Sequence, residues 1–203
     1  METGLAFFPS PGFGIPQFFE YLLVVHPGNG VYEKVLEETE RFSADYKVSA
    51  VKRTLPQIIV ANFLAKEGME ETIIKWMQRI ISEHECFNVL LNNYSGLPSH
   101  TVFARVQYQE PFKQLANSLK VIDHYITSNG CPSAKLISCP HLTIAGKLQP
   151  NIYEKAIFDY SRKTFHAAFT VNELILLKRQ NQFDECRQVS VFRLSGSRSE
   201  SLN

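Results

Sequence analysis

Two segments of the chain repeat one pattern, and this internal repeat restricts the fold more than any other sequence feature. Residues 56–64 and 140–148 align with proline, alanine and leucine at the same three positions, and their other apolar positions correspond. Each segment alternates like a strand and begins at a proline, which a strand tolerates at its first residue. The chain is therefore expected to contain two related halves, each opened by one of these strands.

The segments that follow the two copies extend the repeat to a strand, a helix and a hairpin. Apolar periodicity predicts an earlier strand at 21–25 and helices at 31–46, 69–81, 111–127 and 152–165. It also predicts later strands at 87–91, 101–106, 174–177 and 189–194, with a loop containing Asn92, Asn93 and Gly96 between the first two. Two such repeats can face each other across a cleft.

The second copy carries a pair of residues suited to phosphate chemistry. Side chains two residues apart share a face of a strand, so His141 and Thr143 point one way while Leu142 and Ile144 point into a core. Histidine can move a proton near neutral pH, and a threonine hydroxyl can hydrogen-bond a phosphate oxygen. A lone His-x-Thr triplet is usually chance, but its place in the repeat makes it a candidate site.

The first copy has different residues at the two corresponding positions. Gln57 stands where the second copy has His141, and Ile59 stands where it has Thr143. Glutamine can hydrogen-bond but cannot exchange a proton usefully, and isoleucine has no donor. The repeat is therefore symmetric in its scaffold and asymmetric in its chemistry.

Four further residues are weaker candidates for the same site. Lys178 and Arg179 end a buried strand, where they either meet a phosphate or are solvated. His100 begins a strand next to Thr101, although adjacent strand residues face opposite ways. His26 ends the first predicted strand and is interpreted as a turn residue, although strand ends also line clefts.

Composition excludes several classes of protein. The 203 residues are 44% hydrophobic and 20% charged, as in a globular domain, and the net charge of +1 argues against a large surface for duplex DNA or a membrane. No apolar run is long enough for a transmembrane helix, and the first 17 residues do not resemble a signal peptide. The four cysteines show no zinc spacing, which favours reduced thiols in a cytoplasmic protein.

The repeat and the Pro-His-x-Thr strand of residues 140–143 resemble the 2H phosphoesterase superfamily, which includes 2′-5′ RNA ligase-like proteins and RNA 2′,3′-cyclic phosphodiesterases. The resemblance spans roughly residues 19–194. It implies an α+β, bilobal 2H phosphoesterase-like fold, with two pseudo-symmetric lobes whose antiparallel sheets line a central cleft and whose helices lie outside. An irregular N-terminal arm at 1–18 and a flexible tail at 195–203 would flank that domain.

The resemblance also implies a function. In this superfamily two histidines serve as general acid and base on a phosphodiester, two hydroxyls hold the phosphate, and no metal or other cofactor is needed. Only His141 and Thr143 can inherit catalytic roles here, with Gln57, Lys178, Arg179 and His100 as substrate-binding candidates. The sequence leaves open a weakened phosphodiesterase, a non-catalytic module for an RNA end or nucleotide, and a scaffold without ligand; it does not give the oligomeric state.

Overall fold

The computed structural model describes residues 18–48, 55–181 and 184–196. These residues form five α-helices, namely α1 (Asn29–Tyr46), α2 (Glu70–Ser82), α3 (Glu110–Ser118), α4 (Lys120–Ser128) and α5 (Pro150–Tyr160). They form nine strands, namely β1 (Phe18–Val25), β2 (Ile58–Lys66), β3 (Phe87–Leu97), β4 (Thr101–Val106), β5 (Lys135–Leu136), β6 (His141–Ala145), β7 (His166–Val171), β8 (Glu173–Arg179) and β9 (Arg187–Arg193).

The strands form a curled antiparallel sheet in which the two repeat strands are neighbours at the centre. The order is β7-β3-β4-β6-β2-β1-β8-β9, with the short β5 paired to β2. We call β2, β1, β8 and β9 the first half-sheet, and β6, β4, β3 and β7 the second half-sheet. They meet at one antiparallel pair of residues, Ile58 and Leu142. The predicted α+β fold with two antiparallel lobes is confirmed.

Helices cover one face of this sheet and bury the core there. α2 and α3 pack on the first half-sheet, whereas α1 and α5 pack on the second. Each helix contributes an apolar stripe to the shared core, as the sequence periodicity predicts. Its members include Val35, Phe42, Ile73, Met77, Phe112, Leu115, Ile122, Ile126 and Ala156. We call the opposite side of the sheet the open face.

Two predicted elements differ from the structure. The helix expected at 111–127 is two helices, because the hydrogen bonds shorten to an i−3 pattern where the Ile122 amide donates to the Leu119 carbonyl. The loop expected after residue 91 is instead part of β3. Asn93 takes a left-handed φ of 57° and forms a bulge, which shifts the pairing with β4 without ending the strand. β7 was not predicted at all.

The predicted arm and tail fall outside the described residues, except for Phe18, Ser195 and Gly196. Phe18 already belongs to β1. Among the helices of the described ranges, none is long and apolar enough to cross a membrane.

Removing the side chain of Leu142 should weaken the junction between the half-sheets. Leu142 is fully buried, and replacing a buried leucine by alanine costs about 2–5 kcal/mol because a cavity remains. We expect Leu142→Ala to lower the free energy of unfolding by that amount in urea titrations. Leu64→Ala is the control, because Leu64 lies on β2 with 38% of its surface exposed, and it should change stability far less. Equal losses in the two variants would contradict the assignment of Leu142 to the core.

Candidate functional site

A row of buried residues fixes which side chains reach the open face. Val25, Ile58, Leu142 and Ala104 lie side by side on β1, β2, β6 and β4, and all are at most 1% exposed. Because side chains alternate along a strand, the residues on either side of this row point to the open face.

Two rows on the open face follow from that alternation and from the antiparallel register. The first row contains Val24, Ile59, His141 and Arg105. The second row contains His26, Gln57, Thr143 and Phe103, with His26 and Gln57 one residue beyond the paired ends of β1 and β2. Gln57 therefore lies opposite Thr143, and Ile59 lies opposite His141. The two repeat strands contribute to one surface.

His141 lies half-buried in this surface against an aromatic ring. Its ring centroid is 4.6 Å from that of Phe103, at an interplanar angle of 43°. Burial lowers the pKa of His141 below its ordinary value, and a hydrogen bond from its ring to the backbone carbonyl of Cys139 opposes the shift without cancelling it. The imidazole is therefore biased towards its neutral form, in which the second ring nitrogen can accept a proton.

Thr143 is exposed and lies two residues after His141 on the same strand. A Cβ on Gly146 would lie 3.7 Å from the Thr143 methyl group and 3.8 Å from the Thr101 hydroxyl oxygen, so the two threonines flank one glycine. The Thr101 hydroxyl is in turn 2.6 Å from Nδ1 of His100. His100 is thus connected to the Thr143 end of the site. It lies in the turn before β4, however, five residues before Arg105, which corresponds to roughly 17 Å of extended chain.

Ile59 belongs to an apolar cluster on the open face of the first half-sheet. Its neighbours there are the buried Leu22, Val24 and Ile175, together with Leu177 and Val191. A hydroxyl at this position would lack polar neighbours within that cluster. The first repeat strand therefore contributes an apolar surface where the second contributes Thr143.

Arg105 is a cation that the sequence analysis did not select. It is exposed, it lies opposite His141 on β4, and its Nε donates to the Asn92 carbonyl at 3.2 Å. Alternation along the predicted strand 101–106 puts Arg105 on the side opposite Ala104, and this alternation is the sequence signal that could have identified it. What the sequence lacks is the information that this strand lies beside His141.

The structure does not bring Lys178 to the open face. It lies opposite Tyr21 on the helix side of the sheet, where it is 1% exposed and forms ion pairs of 3.1 Å with Glu67 and 2.7 Å with Glu70. Burial acts to raise the pKa of Glu70, but hydrogen bonds from Lys178 and Tyr21 hold it below its ordinary value. Through these ion pairs Lys178 connects the start of α2 to the sheet, on the side opposite the candidate site.

Arg179 is on the open face but far from His141. It forms an ion pair of 2.6 Å with Glu20, which also accepts a hydrogen bond from Asn62. Three strand spacings and four residues separate the Arg179 position from that of His141, roughly 20 Å measured along the sheet. The register places Arg179 outside the immediate surroundings of His141 and Thr143.

His26 is the residue that the sequence analysis interpreted as a turn residue at the end of the first strand. It extends the second row beyond Gln57, and its Nε2 atom is buried without a hydrogen-bond partner among the described residues. The described ranges contain no group of three or more histidine, cysteine, aspartate or glutamate residues that could hold a metal ion.

The sequence of residues 33–183 matches the 2′-5′ RNA ligase superfamily. This match covers most of the chain, so the protein belongs to that superfamily, and the resemblance to 2H phosphoesterases is confirmed. No curated protein matches the chain in sequence.

Solved structures share the fold at low sequence identity. LigT of E. coli complexed with 3′-AMP has 15% identity and a TM-score of 0.59, over 88% of this chain and 99% of LigT. A protein of Thermus thermophilus has 14% identity and a TM-score of 0.59, over 88% of this chain and all of that one. A phosphoesterase has 15% identity and a TM-score of 0.57, over 89% and 99%. At these identities the likeness establishes the fold alone.

The burial of His141 predicts how its titration responds to Phe103. Removing the ring in Phe103→Ala should expose His141 to water and raise its pKa towards the ordinary value, because desolvation is what lowers it. Measurement of the imidazole proton shifts by NMR between about pH 4 and about pH 9 gives both values. Phe158→Ala removes an exposed ring on α5 and should leave the His141 titration unchanged. A pKa that falls in Phe103→Ala would show that something other than burial controls it.

Proposed function

We propose that the protein binds a nucleotide or RNA phosphodiester on the open face at the junction of β6 and β4. The observation that carries this proposal is the grouping of an imidazole, a hydroxyl and a guanidinium, from His141, Thr143 and Arg105, around one position. A phosphate there receives a hydrogen bond from the Thr143 hydroxyl and a charge-assisted one from Arg105. Phe103 supplies an aromatic surface beside it, suited to stacking with a base or to excluding water.

Structures of related fold support this class of ligand. LigT of E. coli has been solved complexed with 3′-AMP, with ATP, with NADP+ and with phosphate. All four contain phosphate groups, and three of them contain an adenine nucleotide. A phosphate site that accepts a nucleotide is consistent with the grouping on the open face, and the cyclic phosphodiester of an RNA end is the substrate we favour.

The same site supports only weak hydrolysis of a cyclic phosphodiester. In-line displacement at phosphorus requires a proton to be taken from the attacking water and another to be given to the leaving oxygen on the opposite side. The neutral His141 imidazole suits the first task, and Gln57 can perform neither. Loss of one acid or base lowers such a rate about 10²- to 10⁴-fold.

A second candidate function is binding of an RNA end or nucleotide without catalysis. The observation that favours it is the apolar cluster around Ile59, which replaces the second hydroxyl donor with a surface that cannot hold phosphate oxygens. Such a module would use His141, Thr143 and Arg105 for recognition alone.

Binding of a 2′,3′-cyclic nucleotide should depend on the side chains of the second half-sheet. Arg105→Gln should weaken binding about 10-fold or more, because a hydrogen bond to a charged group contributes roughly 1.5–3 kcal/mol. Thr143→Val, which removes the hydroxyl, should weaken binding less. Isothermal titration calorimetry with a 2′,3′-cyclic nucleotide measures both.

Arg162→Gln is the matched control for Arg105, since Arg162 is an exposed arginine after α5 on the helix side of the sheet. It should bind like the wild type. If His141→Ala, Thr143→Val and Arg105→Gln all bind as tightly as the wild type, the ligand is held elsewhere and the proposed site is wrong.

Restoring the first repeat strand should raise the rate of hydrolysis. In Gln57→His with Ile59→Thr, a second imidazole lies opposite Thr143 and a second hydroxyl lies opposite His141. We expect cleavage of an RNA 2′,3′-cyclic phosphate to increase about 10²-fold or more over a slow or absent wild-type rate. Single-turnover kinetics measures the chemical step directly.

His141→Ala, introduced into both the wild-type and the restored protein, distinguishes hydrolysis at the site from hydrolysis by a contaminating enzyme. Robust wild-type cleavage that depends on His141 would show that another residue already supplies the second proton. Binding with no cleavage in the restored variant would favour the non-catalytic module.

A further inference from the structure

The geometry points to His26 as the residue that delivers the second proton, in place of the imidazole that Gln57 lacks. This inference rests on the proposed phosphodiester site and deepens it, because it assigns the second proton transfer of the slow hydrolysis to a particular residue. Two observations support it: His26 directly follows β1, and its Nε2 atom has no hydrogen-bond partner among the described residues.

The position of His26 follows from two strand pairings. Val25 lies opposite Ile58, and Ile58 lies opposite Leu142. Because the strands are antiparallel, the residue after Val25, the residue before Ile58 and the residue after Leu142 form one row on the open face. That row runs from His26 through Gln57 to Thr143. His26 therefore stands one strand away from the Gln57 position and on the same face as the phosphate site.

The distance between His26 and His141 suits a shared phosphate. Two strand spacings and two residues separate their Cα atoms, which is about 12 Å along the sheet. Each imidazole extends several ångströms from its Cα, and the curl of the sheet brings side chains on the open face closer together. His100 lies five residues before Arg105, the residue opposite His141, which corresponds to roughly 17 Å of extended chain. The position of His26 is therefore closer to that of His141 than the position of His100 is.

The Nε2 atom of His26 lacks a partner within the described part of the chain although it is buried. Buried polar atoms are nearly always hydrogen-bonded, and those that are not often have a functional role. Gln57 stands between His26 and Thr143 in the second row, so its side-chain amide is within reach of the His26 ring and of a phosphate oxygen beside Thr143. During the reaction, the departing ribose oxygen gives Nε2 the partner that it otherwise lacks.

The reaction is balanced with these two imidazoles and water. Water attacks the phosphorus of a 2′,3′-cyclic phosphodiester, and the bond from phosphorus to one ribose oxygen breaks. His141 accepts the proton of the water, and His26 donates a proton to the departing ribose oxygen. The product is a phosphomonoester, and proton exchange with solvent returns both imidazoles to their starting states.

A comparison of two leaving groups tests this role. A nucleoside 2′,3′-cyclic phosphate releases an alkoxide, which needs a proton, whereas a nucleoside p-nitrophenyl phosphodiester releases a phenolate, which does not. His26→Ala should lower single-turnover cleavage of the cyclic substrate by about 10-fold or more and change cleavage of the aryl ester less than about 3-fold. His124→Ala, which removes an exposed histidine of α4, should affect neither substrate.

The restored variant supplies a second, independent measurement. With Gln57→His and Ile59→Thr in place, the new imidazole takes over, so adding His26→Ala should change cleavage of the cyclic substrate less than about 3-fold. Calorimetry with the cyclic nucleotide should show that His26→Ala binds it within about 3-fold of the wild type.

Each remaining outcome overturns the inference. Equal losses on both substrates would show a structural role for His26, and no loss would place the proton carrier elsewhere. Binding that depends on His141 without any wild-type cleavage would show that His26 does not act as an acid, and it would leave the proposed binding site intact. Absence of His141-dependent binding would overturn the proposed function itself.

Discussion

One antiparallel pair, between Ile58 and Leu142, joins the two half-sheets, and the position of the site depends on it. Both side chains are fully buried beneath the helices. Because side chains alternate along strands, burying these two forces their neighbours on both strands to the open face. A slip of one residue would expose Leu142 and bury His141, so the core that stabilises the fold also fixes the orientation of His141 and Thr143.

The two half-sheets share this scaffold but differ in chemistry. Around β6 the open face carries His141, Thr143 and Arg105, whereas around β2 it carries an apolar cluster that includes Ile59. The contrast also affects protonation, because partial burial beside Phe103 lowers the pKa of His141 and keeps the imidazole available as a base near neutral pH. In the proposed function, this base would serve one of the two proton transfers of a displacement at phosphorus.

Local patterns in the sequence were enough to predict the repeat, most helices and strands, and the face shared by His141 and Thr143. Alternation and apolar periodicity are local, so they can be read without knowing which elements meet. Arg105 and Lys178 show where local patterns fail. The hairpin that follows the first repeat strand lies beside the second one, and this exchange brings Arg105 to His141. Lys178 sits one residue from Arg179 but points to the helix side, where Glu67 and Glu70 pair with it.

The two departures from symmetry in the first repeat strand are not equivalent, because Ile59 lies within an apolar cluster and Gln57 does not. Ile59 is embedded in an apolar cluster. Compared with the threonine of the second repeat strand, the isoleucine adds apolar contacts there but provides no hydroxyl to bind a phosphate. Gln57 keeps a polar side chain at the edge of that cluster, between Thr143 and the unpartnered nitrogen of His26. The Nε2 atom of His26 is buried without a hydrogen-bond partner among the described residues, and such an atom destabilises the folded state unless a ligand or water satisfies it. Gln57 and His26 give this part of the open face the polar character that the proposed site for an anionic ligand requires.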